Sequence, residues 1–108
     1  MKYLLDTHTL LWLLDNESVI PAPTLVQLKN PVNELYVSVA SIWEIAIKRS
    51  LGKLIINRPT QAIVDELPYM DIALRPVLAN HVLRVETLPI HHKDPFDRVI
   101  IAQALVEG

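Results

Sequence analysis

The chain has 108 residues, with 10 basic and 12 acidic side chains, a net charge of −2 and no cysteine. The absence of cysteine excludes disulfides, thiolate metal sites and cysteine nucleophiles. A net charge so close to zero excludes binding to a nucleic-acid backbone through a broad basic surface. The length indicates one domain over residues 1–108, and the 51% of hydrophobic residues indicates a dense core or apolar surface that meets a partner.

No targeting or membrane-spanning segment is evident in the sequence. The apolar start of the chain is interrupted by Asp6 and His8 before a signal-peptide core can form. No uncharged run approaches the length needed to cross a bilayer. Together with the absence of cysteine, these features fit a cytoplasmic protein that does not contact a membrane.

Short apolar runs that alternate with helical patterns predict an α/β fold with a parallel sheet. The predicted strands span residues 3–5, 35–39 and 72–74. The predicted helices span residues 10–14, 24–29, 41–51, 60–67, 75–83 and 95–107. Thr7 or Thr9 is expected to cap the first helix. In the helix of residues 41–51, the expected inward side chains are Ile42, Ile45 and Ala46, with Trp43 as a further candidate.

The pattern ends on a helix, whereas a parallel sheet normally continues into another strand. A further strand is expected after residues 104–108. We therefore expect the domain to be incomplete at its C-terminus, or the edge of its sheet to be covered by another subunit.

Three acidic residues fall where an open α/β sheet builds its active site. Asp6 ends the first predicted strand, Glu44 lies just inside the helix after the second, and Asp97 lies in the first turn of the last helix. Strand ends and the following helix starts share one edge of a parallel sheet, where ligands bind. Crowded acids repel one another unless a cation lies between them, and oxygen ligands suit Mg²⁺ or Mn²⁺. The arrangement predicts a metal-dependent phosphodiesterase.

Each acid also has a purely structural interpretation. Asp6 can cap the helix that follows it. Ser41 and Glu44 match a capping box, and Asp94 fits a helix cap with Asp97 in the capping-box position. Separate caps do not explain why all three acids fall at one sheet edge, or why two acids crowd one helix start. The acids taken together favour a shared site over three caps.

The histidines carry weaker signals. His8 lies near the first acid and can reach the crevice to contact substrate. His91 and His92 can face substrate, although an exposed loop is the simpler interpretation. His81 lies in an apolar helical pattern that is typical of a satisfied, partly buried histidine. A zinc site is disfavoured because neither cysteine nor His-x₃-His spacing occurs.

Basic residues offer one candidate for phosphate binding. Lys48 and Arg49 lie at the end of a predicted helix, where cations usually interact favourably with the negative end of the helix dipole. Arg98 is the basic residue most readily placed near a substrate phosphate, and pairing with Asp94 is equally compatible with its position.

Three stretches of the chain carry a resemblance to a known family. They are KYLLDTHTLLW (residues 2–12), VSVASIWEIA (residues 37–46) and HHKDPFDR (residues 91–98), the last followed by IAQA (residues 101–104). With these stretches the chain resembles the PIN-domain family, and more closely the VapC-type toxins of bacterial toxin–antitoxin pairs. The resemblance covers essentially the whole chain, and its third stretch is quite specific.

The resemblance implies a three-layer α/β sandwich with a central parallel sheet and an endoribonuclease that depends on Mg²⁺ or Mn²⁺. It implies metal ligands at Asp6, Glu44 and Asp97, with Asp94 near the site. It also implies a homodimer and inhibition by a small cognate antitoxin. The family continues past the last helix into a strand and a Thr-x-Asp-like segment, and nothing in this sequence matches that segment.

Two other functions stay open on the sequence alone. A chain that lacks the last strand could keep its dimer and antitoxin surfaces and cleave RNA poorly, which would make it a binding module. A phosphatase of the haloacid dehalogenase type also starts with an apolar strand that ends in aspartate. That class expects a second acid at the position of His8, so it is disfavoured.

Overall fold

The computed structural model describes residues 1–89 and 94–108, which form three strands and six α-helices. The strands are β1 (Lys2–Leu5), β2 (Glu34–Ser38) and β3 (Ile72–Arg75). They form one parallel sheet in the order β1-β2-β3, in which Leu4 pairs with Tyr36 and Tyr36 pairs with Ala73. The predicted parallel α/β sheet is confirmed, and in this part of the chain no strand follows the last helix, as expected.

The helices are α1 (Thr7–Asp15), α2 (Ala22–Lys29), α3 (Val39–Ser50), α4 (Thr60–Glu66), α5 (Ala79–Val85) and α6 (Pro95–Glu107). Four of their starts differ from the prediction. The helices α1, α2 and α3 begin two or three residues earlier, and α5 begins at Ala79 rather than at residue 75, which still belongs to β3. The caps explain the early starts of α1 and α3. The cap of α1 is Asp6 rather than a threonine, since its carboxylate accepts from the Thr9 backbone N–H at 2.8 Å. The cap of α3 is Ser38, whose hydroxyl accepts from the Ala40 N–H at 3.0 Å. Both helices therefore leave the sheet directly at a strand end.

The early start of α3 changes the role of Glu44. With Ser38 as the cap, the third helical position is Ser41, and Glu44 lies almost a full turn further along the helix. A side chain there cannot reach back to the cap. The capping-box interpretation of Ser41 and Glu44 is therefore wrong, which removes the helix-cap alternative for this acid.

The core lies between one face of the sheet and the helices α1 to α4. Leu5 and Val37 contribute from the strands, and Leu10, Ile45 and Ile63 pack on them from α1, α3 and α4, with at most 4% of each residue exposed. Burial of such a side chain stabilises the fold by about 1.5–3 kcal/mol. The inward prediction is confirmed for Ile45.

Two other inward predictions for α3 are wrong. Ala46 is exposed, and Trp43 is 56% exposed because it points away from the face that carries Ile45. Ile42 is half-buried and packs against the core. The helix thus buries a narrower stripe than the sequence predicted, and its aromatic residue is left beside the acids.

The opposite face of the sheet is partly covered by α6, which packs on α5. Leu4, Tyr36 and Arg75 line a cavity on this face together with Ala104 and Glu107 of α6. The Arg75 guanidinium lies 4.3 Å from the centroid of the Tyr36 ring. Helices on both faces make the sheet the middle of three layers, as the resemblance implied.

Two polar contacts tie this outer layer together. The Gln103 amide donates to the Pro76 carbonyl at 3.0 Å, which holds α6 to the end of β3. His81 is fully buried, its Nδ1 accepts from the Leu78 N–H at 2.9 Å, and its Nε2 lies 3.2 Å from a Glu107 carboxylate oxygen. The prediction of a satisfied histidine is confirmed. None of the helices in residues 1–89 and 94–108 is long and apolar enough to cross a membrane.

The connection between α3 and α4 is held by two arginines. Arg49 donates to the Arg58 carbonyl at 2.6 Å and to the Thr60 hydroxyl at 3.2 Å, and the Arg58 guanidinium pairs with both Asp15 and Glu66. All three side chains of the Arg58 network are partly exposed, so solvent weakens their attraction.

Replacement of Arg58 by alanine is expected to lower the free energy of unfolding by about 1 kcal/mol, because two ion pairs and a packed stem are lost. Urea denaturation at low and high salt measures this loss, which should shrink as salt increases. The matched control is Lys29→Ala, which removes one more exposed pair with Glu17 and should change stability by less than about 0.5 kcal/mol. Equal losses for both variants would show that the Arg58 network adds nothing special.

Candidate active site at the carboxyl edge of the sheet

The carboxyl ends of β1 and β2 open directly into α1 and α3, and a hydrogen bond joins the two helix starts. The Thr7 hydroxyl donates to Glu44 Oε1 at 2.6 Å. Both side chains are buried, and only 2% of Glu44 is exposed. Because Asp6 immediately precedes Thr7, this bond ties the strand end that carries the first predicted acid to the helix that carries the second, although 37 residues separate Thr7 from Glu44.

Glu44 is a buried acid with partners on both oxygens. Oε1 accepts from Thr7, and Oε2 forms an ion pair with the ammonium of Lys48, one turn further along α3. A carboxylate in a nearly dry position is stable only when such partners offset the loss of water. The two partners therefore fix the orientation of the Glu44 carboxylate.

The start of α6 reaches the same edge through an aromatic contact. The rings of Trp43 and Phe96 meet edge to face, with centroids 4.8 Å apart and planes at 80°. Asp94 caps α6 by accepting from the N–H groups of Phe96 and Asp97, at 2.8 and 3.4 Å. The prediction of Asp94 as a cap with Asp97 in the first turn is confirmed, and the contact places this turn beside Glu44.

The charges at this edge act on one ammonium group. The pKa of Lys48 is raised above its ordinary value, first by the hydrogen bond to Glu44, while partial burial lowers it. The negative charges of Glu44, Asp94 and Asp97 add to the increase. Three of the four predicted acids therefore lie close enough to Lys48 for their fields to favour its charged form.

The structure brings the acids to one edge without gathering them around one point. Where the chain is described, no three acidic or histidine side chains lie close enough together to hold a metal ion as they are placed. Asp6 and Asp94 each use a carboxylate oxygen as a helix cap, and Glu44 uses both. A shared metal site of Asp6, Glu44, Asp97 and Asp94 stays a prediction.

The chemistry of the donor set nevertheless fits a hard divalent cation. All four groups are carboxylates, which are the ligands that Mg²⁺ and Mn²⁺ prefer, and the chain has no cysteine thiolate to favour a softer metal. The ammonium of Lys48 already lies among these acids, and their negative charges favour a positive charge at this edge of the sheet. The residues that would hold a metal are Asp6, Glu44 and Asp97, with Asp94 beside them.

The other predicted site residues lie around this edge or outside the described residues. His8 is exposed, with its ring 6.0 Å from the Trp12 ring, and its contact with substrate stays a prediction. The Arg98 guanidinium donates to the carbonyl of Val85 at 2.9 Å and to that of Pro89 at 3.3 Å, so it ties α6 to the segment after α5. Its phosphate contact also stays a prediction. His91 and His92 lie outside the described residues.

Sequence reasoning missed two members of the site. Thr7 was considered only as a helix cap, and no local pattern signals its bond to a residue on α3. Lys48 was assigned to the helix dipole, although its four-residue spacing from Glu44 is that of a helical ion pair and could have suggested the contact. Both residues act on the same acid, Glu44.

Comparison with known proteins agrees with this fold. A family model for the PIN domain matches residues 3–108. Searches of curated proteins and of solved structures found no match to the chain. PIN domains are in general nucleases, and they generally use divalent metals to act on nucleic acids. Since the match spans nearly all of the sequence and the fold is the parallel α/β arrangement expected for it, the chain belongs to the PIN-domain family.

Proposed function

We propose that this protein is a metal-dependent endoribonuclease of the VapC type, which cleaves RNA phosphodiester bonds with a water activated by Mg²⁺ or Mn²⁺. The observation that carries the proposal is the run of contacts from Thr7 to Glu44 to Lys48 at the carboxyl edge of the sheet. Asp6 directly precedes Thr7, and the charges of Asp94 and Asp97 add to the raised pKa of Lys48. Membership of the PIN-domain family supports the nuclease class.

In this proposal the carboxylates of Asp6, Glu44 and Asp97 hold the metal. When bound, Mg²⁺ or Mn²⁺ polarises a phosphate oxygen and lowers the pKa of a water molecule. Thr7 fixes the direction of Glu44 through its hydroxyl, and Asp94 fixes the start of α6, which carries Asp97.

On the substrate side, we assign His8 and Arg98 to contacts with RNA. His8 is exposed next to the first acid, and Arg98 follows Asp97 directly in the first turns of α6. The near-neutral charge of the chain fits local contacts of this kind rather than a long basic track.

The proposal includes two protein partners, a second copy of the chain and a small antitoxin that neutralises the nuclease, and it places the protein in the cytoplasm. Exposed apolar side chains on the outer layer support the presence of protein partners. They are Leu78, Val82, Leu83, Leu105 and Val106. Apolar surface of this extent often marks an interface.

A second candidate function is a PIN-like module that dimerises and binds an antitoxin without cleaving RNA. One observation favours it: the described acids do not form a group that could hold a metal as they are placed, and Lys48 occupies an oxygen of Glu44. The two functions differ in a single property, which is metal-dependent cleavage.

A cleavage assay separates them. The purified protein is incubated with total RNA and with a structured RNA in Mg²⁺, in Mn²⁺ or in EDTA. We expect cleavage with either metal and none in EDTA, and metal added back after EDTA should restore it. A folded protein that binds Mn²⁺ and leaves both RNAs intact would favour the binding module, and cleavage that persists in EDTA would refute the metal mechanism.

A further inference from the structure

Within residues 1–89 and 94–108, Lys48 is the basic side chain that is joined directly to Glu44, the buried acid of the site. Its ammonium pairs with Glu44 Oε2, while Thr7 holds Oε1. The two ends of the pair differ in burial, since 3% of the Glu44 side chain and 34% of the Lys48 side chain are exposed. The carboxylate is therefore fixed, and the lysine keeps a path to water.

The ammonium of Lys48 also lies close enough to acids on a second helix to interact with their charges. Asp94 and Asp97 at the start of α6 act with Glu44 to favour the charged ammonium. An ordinary helical ion pair involves two residues on one surface, and it contributes only a few tenths of a kcal/mol. Here one ammonium balances acids from α3 and α6 at an edge where unbalanced carboxylates would repel one another.

A divalent cation held by Glu44 must use the same oxygens. Thr7 can remain on Oε1 because a carboxylate oxygen accepts more than one partner. Lys48 cannot remain close, because an ammonium and a metal ion repel each other across a short distance in a partly dry site. The flexible four-carbon stem of lysine allows its ammonium to leave Glu44 while the helix stays in place.

We propose that Lys48 is a positioning residue that takes the place of the metal in the metal-free protein and is displaced from Glu44 when a divalent cation binds. The proposal rests on the proposed function, since it takes Glu44 as a metal ligand. It gives Lys48 two effects of opposite sign. The ammonium holds the acids together before metal arrives, and it competes with the metal for Glu44.

The test is Mn²⁺ binding by isothermal titration calorimetry, with wild-type protein, Lys48→Met and Lys48→Arg. Loss of the competing charge should make Lys48→Met bind Mn²⁺ about 10-fold more tightly, and a tenfold change corresponds to about 1.4 kcal/mol. Lys48→Arg keeps the charge and should stay near the wild-type affinity. The matched control Lys53→Met removes an exposed lysine beyond α3 and should leave Mn²⁺ affinity unchanged.

Thermal unfolding supplies the second readout. Without metal, Lys48→Met should unfold at a lower temperature than the wild type, and saturating Mn²⁺ should close most of that gap, because the metal then supplies the missing positive charge. If Lys48→Met does not fold, Lys48→Gln replaces it, since the amide can still donate to Glu44 without a charge.

The outcomes distinguish a failure of the role of Lys48 from a failure of the proposed metal-dependent nuclease. Equal or weaker Mn²⁺ binding by Lys48→Met, in a wild type that binds Mn²⁺ and cleaves RNA, would overturn the role of Lys48 and leave the nuclease intact. Absence of Mn²⁺ binding in the wild type, in Lys48→Met and in Lys48→Gln would overturn the metal centre and this inference together. Tighter binding in the uncharged variants would support the inference even if no RNA were cleaved.

Discussion

Replacement of Asp6 by asparagine is expected to reduce RNA cleavage by at least about 100-fold while leaving the fold intact. The loss follows from the charge, since a neutral amide binds a divalent cation poorly and the site loses the electrostatic stabilisation that depends on it. The fold survives because asparagine caps helices as well as aspartate and can still accept from the Thr9 N–H. Initial rates in Mg²⁺ and Mn²⁺ give the effect on cleavage, and urea denaturation gives the effect on stability.

Two variants of Asp6 distinguish its interpretation as a helix cap from its interpretation as a metal ligand. A cap alone predicts that Asp6→Asn is active and that Asp6→Ala loses about 1 kcal/mol of stability. A metal ligand predicts that both variants are inactive. Asp65→Asn is the matched control, because Asp65 is an exposed aspartate paired with Gln61 on α4. Wild-type cleavage by Asp6→Asn would mean that the mechanism is wrong.

Replacement of Glu44 by glutamine is expected to affect both activity and stability. Cleavage should again fall by at least about 100-fold, because a metal ligand loses its charge. Stability should fall by about 1–3 kcal/mol, since the ammonium of Lys48 loses the buried negative charge with which it is paired. The cost is at the lower end for a broken buried pair, because Lys48 can turn towards water. Activity is measured at equal folded fraction, which denaturation curves provide.

The matched control for this variant is Glu66→Gln. Glu66 also pairs with a basic residue, Arg58, but it lies on α4 away from the acids. Its replacement should cost less than about 1 kcal/mol and leave cleavage unchanged. If Glu44→Gln and Glu66→Gln lowered stability equally and neither changed cleavage, Glu44 would be a structural acid and the proposed site would lose its centre.

Much of the fold could be predicted because the local signals agree with the tertiary structure. The strands are short apolar runs bounded by proline, asparagine and charged residues, and each predicted strand lies within about one residue of its observed limits. The start of α6 was predicted because Asp94 and Pro95 are a cap and a first helical residue, and these preferences act locally.

The start of α3 could not be predicted in the same way. Residues 37–40 read as an unbroken apolar run with one serine, and no proline, glycine or asparagine separates strand from helix. Ser38 ends β2 and caps α3 at the same time. The shift of two residues decides what Glu44 does, because it moves this acid out of the capping position and into contact with Thr7 and Lys48.

The sequence predicts which acids belong to the candidate site, but it does not predict the contacts that hold them in place. Topology alone places Asp6 and Glu44 at one edge, since parallel strands end together. The start of α6 follows α5 rather than a strand, and the contact between Phe96 and Trp43 brings it to this edge. The bond from Thr7 to Glu44 joins two helices, and no pattern within either one encodes it. Trp43 is a candidate for the inward face because it is apolar, whereas its ring contacts Phe96 on α6.

The most direct measurement is the anomalous diffraction of crystals grown with Mn²⁺, which locates the ion without reference to activity. The account predicts one strong peak at the carboxyl edge of the sheet, bonded to carboxylate oxygens of at least two of Asp6, Glu44 and Asp97. A peak elsewhere on the protein, or no peak at this edge with the Glu44–Lys48 pair intact at saturating Mn²⁺, would contradict the claim that these acids form a metal centre.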